Sequence, residues 1–178
     1  MRRPLPQIVF FLLLSTALPL LAQPSPLQGP RPLDAVEGVD LEGQEWNAEN
    51  LLGKVVLLDF WATWCAPCLA EIPRLRSVDE RYAKAGLVVL GVSLDEMSSR
   101  QLRGWLRRQE IHWPQIHDRR GFDGELARRF AVDAIPSNFL FDREGRMIGK
   151  DLSGERLQAV LDSLFRAHRP SLAAASTK

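Results

Sequence analysis

Two cysteines, in the segment Trp64-Cys65-Ala66-Pro67-Cys68, are the residues whose type and spacing point most directly to chemistry. As a structural staple the pair is poorly placed. In the chain-entropy model so short a loop stabilises by about 2 kcal/mol, against about 4.7 for a hundred-residue loop. A zinc site needs two more ligands. His112 and His117 lie far beyond the usual gap between ligand pairs and read as partly exposed residues flanking Trp113-Pro114. Covalent haem attachment needs a His after the second Cys, where Leu69 stands. Dithiol redox chemistry has a direct physical cause. Pro67 favours the first turn of a helix, which puts Cys65 at the helix N-terminus. Unpaired N–H groups and the helix dipole stabilise a thiolate there and lower the pKa of Cys65. Cys68 follows one turn on, on the same face. Attack by Cys65 on a disulfide gives a mixed disulfide that Cys68 resolves.

The elements that must position this pair follow from the hydrophobic pattern. Residues 39–46 alternate around Glu42-Gly43, a hairpin signal. Val55 to Trp61 is a continuous apolar run of the kind seen in strands buried on both faces. A helix is expected over 66–85, with Leu69, Ile72, Leu75, Val78 and Tyr82 on one face and Gly86 as its stop. Residues 87–92 form a second buried strand, so the unit is strand–helix–strand and parallel. Ser98 caps a helix carrying Leu102, Trp105 and Leu106, and a short strand follows within 111–116. One helix is expected over 122–130, a hairpin over 138–141 and 147–150, and a last helix capped by Ser153 with Leu157, Val160, Leu161 and Leu164 inward. The fold class is α/β: a mixed sheet flanked by helices, with an N-terminal hairpin extension.

Four further residues bear on the pair. Asp59 interrupts the apolar strand, so burial should raise its pKa; the alternative is a strand-end residue facing solvent. Glu71 lies one turn after Cys68, placed either to act on the cysteines or as an acid favoured by the helix dipole. Pro73 falls inside the helical pattern and should kink it. Trp64 flanks an exposed Cys65 and offers an apolar contact surface, while Trp61 belongs to the core.

Composition limits the function classes. The chain has 178 residues, 46% of them hydrophobic, and its 23 Lys+Arg against 22 Asp+Glu leave a net charge of +1. That balance gives no reason to expect a nucleic-acid partner or an acidic substrate. The paired arginines at 107–108, 119–120 and 128–129 alternate with acids and read as solvated surface. Residues 1–22 combine Met1-Arg2-Arg3 with an apolar stretch and a closing Ala22, the pattern of an export signal that is either cleaved or kept as an anchor in the inner membrane by residues 8–22. Residues 23–35 are Pro-rich and read as a tether, 36–168 as one domain and 169–178 as a frayed tail. The domain is thereby expected in the periplasm.

The segment Asp59-Phe60-Trp61-Ala62-Thr63-Trp64-Cys65-Ala66-Pro67-Cys68 resembles the active-site segment of thioredoxins. With Glu71-Ile72-Pro73 and the later Ile135-Pro136, the chain is similar to exported thiol-disulfide oxidoreductases of the TlpA/ResA/DsbE type over residues 36–166. The resemblance implies a thioredoxin-like fold, no cofactor, and catalysis by Cys65 and Cys68. It implies that Asp59 takes the proton of Cys68, although many exported relatives carry Asn there, and that Glu71 tunes the cysteines. It also implies a cis bond between Ile135 and Pro136, which with Trp64 would contact substrate. The expected partners are exported proteins with disulfides, apocytochrome c among the candidates, and a membrane electron donor. A disulfide-donating oxidase, a thiol peroxidase and a copper-binding assembly module with His117 as third ligand are the competing readings. For a peroxidase, Thr63 is misplaced and Leu58 stands where Pro is needed.

Overall fold

The computed structural model describes residues 32–167; the expected leader, the first part of the Pro-rich segment and the tail lie outside the described residues. Two small strands, β1 (Gly38–Val39) and β2 (Glu45–Trp46), pair antiparallel as the N-terminal hairpin, with Gly43 at φ 87° in its turn. A short helix, α1 (Ala48–Leu51), is capped by Asn47 in a reciprocal capping box with Asn50. The 3₁₀ turn Pro32–Ala35 buries Leu33 completely, so the domain takes in residues assigned above to the tether. A leucine with no exposed surface is core, whatever the prolines around it suggest.

The main sheet has the strand order β5 (Gln115–Ile116), β4 (Leu87–Ser93), β3 (Val55–Trp61), β6 (Ser137–Phe141), β7 (Met147–Lys150). Its centre is β3 (Val55–Trp61), buried at every position, including Asp59. Beside it, β4 (Leu87–Ser93) runs parallel, joined to it by α2 (Ala66–Tyr82) and the 3₁₀ turn Ala83–Ala85, and Gly86 at φ 100° ends the helical stretch as expected. On the other side β6 (Ser137–Phe141) and β7 (Met147–Lys150) form the predicted antiparallel hairpin. The last helix, α5 (Gly154–Ala167), buries Leu157 and Leu161 and packs on α2: Phe165 stacks on Tyr82 at 4.7 Å, and the Tyr82 hydroxyl donates to Asp162.

Two expectations need correction. The strand sought within 111–116 reduces to β5 (Gln115–Ile116), because the preceding residues connect α3 (Ser99–Arg108) to the sheet edge. The single helix over 122–130 divides into a 3₁₀ turn at Gly121–Asp123 and α4 (Glu125–Arg129), separated by Gly124 in an extended conformation. Asp118 accepts the N–H of Glu125 at 2.9 Å, which caps the second piece from outside the run.

Gly91 shows how tightly the sheet edge is fitted around Trp61. It pairs with Gln115 across β4 and β5, and a Cβ at 91 would lie 2.1 Å from Gln115 Oε1. That oxygen accepts the Trp61 indole N–H at 2.9 Å, a buried bond. Gly91→Ala is therefore expected to destabilise the domain by about 1–3 kcal/mol through overpacking, read from the urea midpoint. An unchanged midpoint would show that Gln115 can move aside without cost.

Candidate redox site

The site lies where β3 hands over to α2. After Trp61 the chain turns through residues 62–65, closed by a hydrogen bond from Cys65 N to Ala62 O at 3.1 Å. Cys65 is the N-cap of α2: its backbone is extended, and its sulfur accepts the Cys68 N–H at 3.2 Å. Pro67 sits in the opening turn, where a missing N–H costs nothing. The two sulfurs are joined by a 1.99 Å bond, with the Cα atoms 5.3 Å apart. The structure thus holds the oxidised form of the pair.

The expectation of an exposed Cys65 is corrected. Cys65 is 5% exposed and Cys68 4%, because the capping sulfur folds back over the start of its own helix. Its neighbours Trp64, Ala66 and Pro67 are all exposed, Trp64 at 61%, and this rim is where a substrate sulfur must approach.

Asp59 lies in the middle of the sheet, opposite Gly91 on β4 and Asn138 on β6. Burial, and secondarily the charge of Glu71, push its carboxyl from 3.8 up to about 7. Asp59, Cys68, Glu71 and Pro136 line one cavity of about 230 Å³, so four of the residues singled out in the sequence converge. Glu71 is half-buried and pairs with Arg74 at 3.7 Å, an interaction of little energetic weight at this exposure.

The bond between Ile135 and Pro136 is cis. The strand after it is held by two residues the sequence reading missed. Asn138 exchanges side-chain bonds with Leu152, at 3.0 Å from its N–H and 2.9 Å to its carbonyl. Asp151, at φ 51°, accepts the Ser137 hydroxyl at 2.8 Å. Both also line the cavity. Nothing in the local pattern marks them, because their role arises from the β6–β7 pairing.

On the other side of the cysteine turn, Trp64 meets Phe122 with ring centroids 6.4 Å apart. Trp61 is core, as expected, tilted against Trp105 at 5.3 Å. His117 does not stand free as a ligand: Nε2 lies 2.7 Å from the Asp95 carbonyl, to which it must donate, and Nδ1 lies 3.3 Å from the Ser99 hydroxyl. Among the described residues no three His, Cys, Asp or Glu side chains group as a metal site, and no helix is long and apolar enough to cross a membrane.

Residues 31–149 match the AhpC/TSA family. The chain is 32% identical over 128 residues to the thiol-disulfide oxidoreductase ResA of Geobacillus thermodenitrificans, covering 70% of this chain and 71% of that protein. It is 28% identical over 131 residues to ResA of Bacillus thuringiensis, covering 74% and 73%. Among solved structures, a thiol-disulfide oxidoreductase from Bacteroides fragilis superposes with a TM-score of 0.65 at 27% identity, over 72% of this chain and 96% of that one. A cysteine pair at the head of a helix, on a five-stranded mixed sheet, together with these matches leads to one assignment: the chain belongs to the AhpC/TSA family and is a thioredoxin-like thiol-disulfide oxidoreductase.

Proposed function

We propose that the protein is a periplasmic reductase of disulfides in exported proteins, with Cys65 as nucleophile and Cys68 as resolving thiol. The observation that carries this reading is the Cys65 sulfur at the α2 N-cap, with Cys68 beside buried Asp59. The Cys65 thiolate attacks one sulfur of the substrate disulfide and expels the other as a thiolate, which takes a proton from solvent. Cys68 then passes its proton to Asp59 and attacks the Cys65 sulfur, releasing the second substrate thiolate. Two electrons have moved to the substrate, and the enzyme is left with the Cys65–Cys68 disulfide, the state of this structure. Glu71 raises the proton affinity of Asp59. Trp64, Ile135 and Pro136 form the surface that receives the substrate chain, which can pair with the backbone beside Pro136 as an added strand.

The direction of electron flow is set by the reduction potential of the Cys65–Cys68 couple, and this reading takes the couple to be a reducing one. Strong dithiol oxidants owe their potential to a strongly stabilised thiolate. A reductase of this kind requires a couple near about −270 mV rather than about −120 mV, read by equilibration against glutathione or a dithiol buffer. A value at the oxidising end would make the protein a disulfide donor instead. The cationic, apolar leader at residues 1–22 supports export, and the dithiol would be regenerated by a membrane electron donor. Resemblance makes apocytochrome c one substrate to test.

A further inference from the structure

A polar cluster that neither the cysteine motif nor the cavity accounts for lies at the C-terminal ends of β3 and β4. The two strands pair in parallel as far as Trp61 with Ser93, so two residues further on Thr63 falls opposite Asp95. Asp95 is 1% exposed, and no Lys or Arg partners it among the described residues. Its carboxylate instead accepts three donors. The Thr63 N–H reaches it at 3.0 Å, the Thr63 hydroxyl at 2.6 Å and the Ser93 hydroxyl at 2.8 Å. The Asp95 backbone is fixed in turn: its N–H donates to the Ser93 hydroxyl at 3.2 Å, and its carbonyl accepts from His117, which is itself tied to Ser99 at the start of α3.

We propose that Asp95 is a positioning residue for the redox turn, acting on Cys65 through Thr63. Thr63 is the first inner residue of the turn that ends at Cys65, and that turn has one internal bond, from Cys65 N to Ala62 O. The sulfur can accept the Cys68 N–H only if the turn delivers Cys65 to the helix end at the right tilt. By gripping both the N–H and the hydroxyl of Thr63, Asp95 fixes the turn from the far strand at two points. A carboxylate suits this role because it accepts at both oxygens, whereas an amide presents one acceptor and would set its NH₂ against a donor. Burying a polar group is costly unless it is hydrogen-bonded, and three donors meet the Asp95 carboxyl group here.

The proposal rests on Cys65 being the attacking sulfur, and its test separates the two ideas. Reduced wild type, Thr63→Ser, Thr63→Val and Asp95→Asn are compared by the pH dependence of Cys65 alkylation, by kcat/KM on a protein disulfide, and by thermal unfolding. Thr63→Val removes the hydroxyl grip without altering any charge. It is expected to lower kcat/KM about tenfold and to move the alkylation midpoint to higher pH, while Thr63→Ser stays near wild type. Asp95→Asn should move the midpoint the same way and further. A midpoint unchanged in Thr63→Val overturns the proposal. So does a downward move in Asp95→Asn, the sign of a carboxylate that acts only by its charge. If Asp95→Asn fails to fold, the Thr63 pair still decides. Absence of wild-type turnover on a protein disulfide, with the alkylation midpoint still raised in Thr63→Val, would refute the reductase reading and support the positioning role.

Discussion

With Cys68 replaced by Ala, the reduced protein is expected to attack one disulfide and stop, joined to its substrate through Cys65. The resolving thiol alone can break that adduct quickly, because it sits one helical turn away and attacks as an intramolecular partner. Turnover should fall by about three orders of magnitude or more, while the first step keeps its rate. Intact-mass measurement should find one equivalent of substrate on Cys65. Exposure does not choose between the sulfurs, since Cys65 and Cys68 are covered almost equally in the oxidised form. Position on the helix chooses: Cys65 is the cap that receives an N–H, whereas Cys68 lies inside the first turn against the Asp59 cavity. Cys65→Ser should accordingly form no adduct. An adduct on Cys68 in that variant, or none on Cys65 in Cys68→Ala, would assign the wrong nucleophile here.

What the sequence made legible and what it hid divide along one physical line. The strand Val55–Trp61, the helix after the cysteines and the β6–β7 hairpin each carry their periodicity within a short window. Asp59 could be found because a carboxylate in a buried run contradicts its neighbours. Asp95, Asn138 and Asp151 could not, since Asp95 and Asp151 look like ordinary polar residues after a strand and Asn138 like one at a strand's start. Their roles exist only across strands, in the parallel register that brings Thr63 to Asp95 and the antiparallel one that ties Ser137 and Asn138 to Asp151 and Leu152. The division of the 122–130 helix escaped for a related reason: the donor-capping Asp118 lies outside the periodic run. Cys65 itself was located correctly but its cover was not, because motif spacing says nothing about where a capping sulfur folds.

Asp59→Asn should make the oxidised protein more stable and the reduced one slower, with both effects tied to pH. The carboxyl holds its proton in the folded chain up to about pH 7, while in the unfolded chain it ionises near 3.8. Below about pH 4 both states are protonated, and the group adds no difference. As pH rises, the unfolded chain ionises first and gains at the expense of the fold, by about 1.4 kcal/mol per unit, until the folded group also ionises near 7. The full loss is of order 4 kcal/mol, the cost of carrying an acid where burial opposes its charge. Asparagine has the same shape and no proton to lose. Urea unfolding of the two oxidised proteins should therefore coincide near pH 4 and separate steadily up to pH 7, with Asp59→Asn the more stable by up to a few kcal/mol. The price in catalysis follows from the same group, since Cys68 then has no buried base to receive its proton. Resolution of the mixed disulfide is expected to slow by about a hundredfold and to lose its inflection near pH 7. A stability gap that ignores pH would mean that the Asp59 carboxyl ionises in the fold near its ordinary value, and with that would go the case for a proton affinity raised to suit the Cys68 thiol.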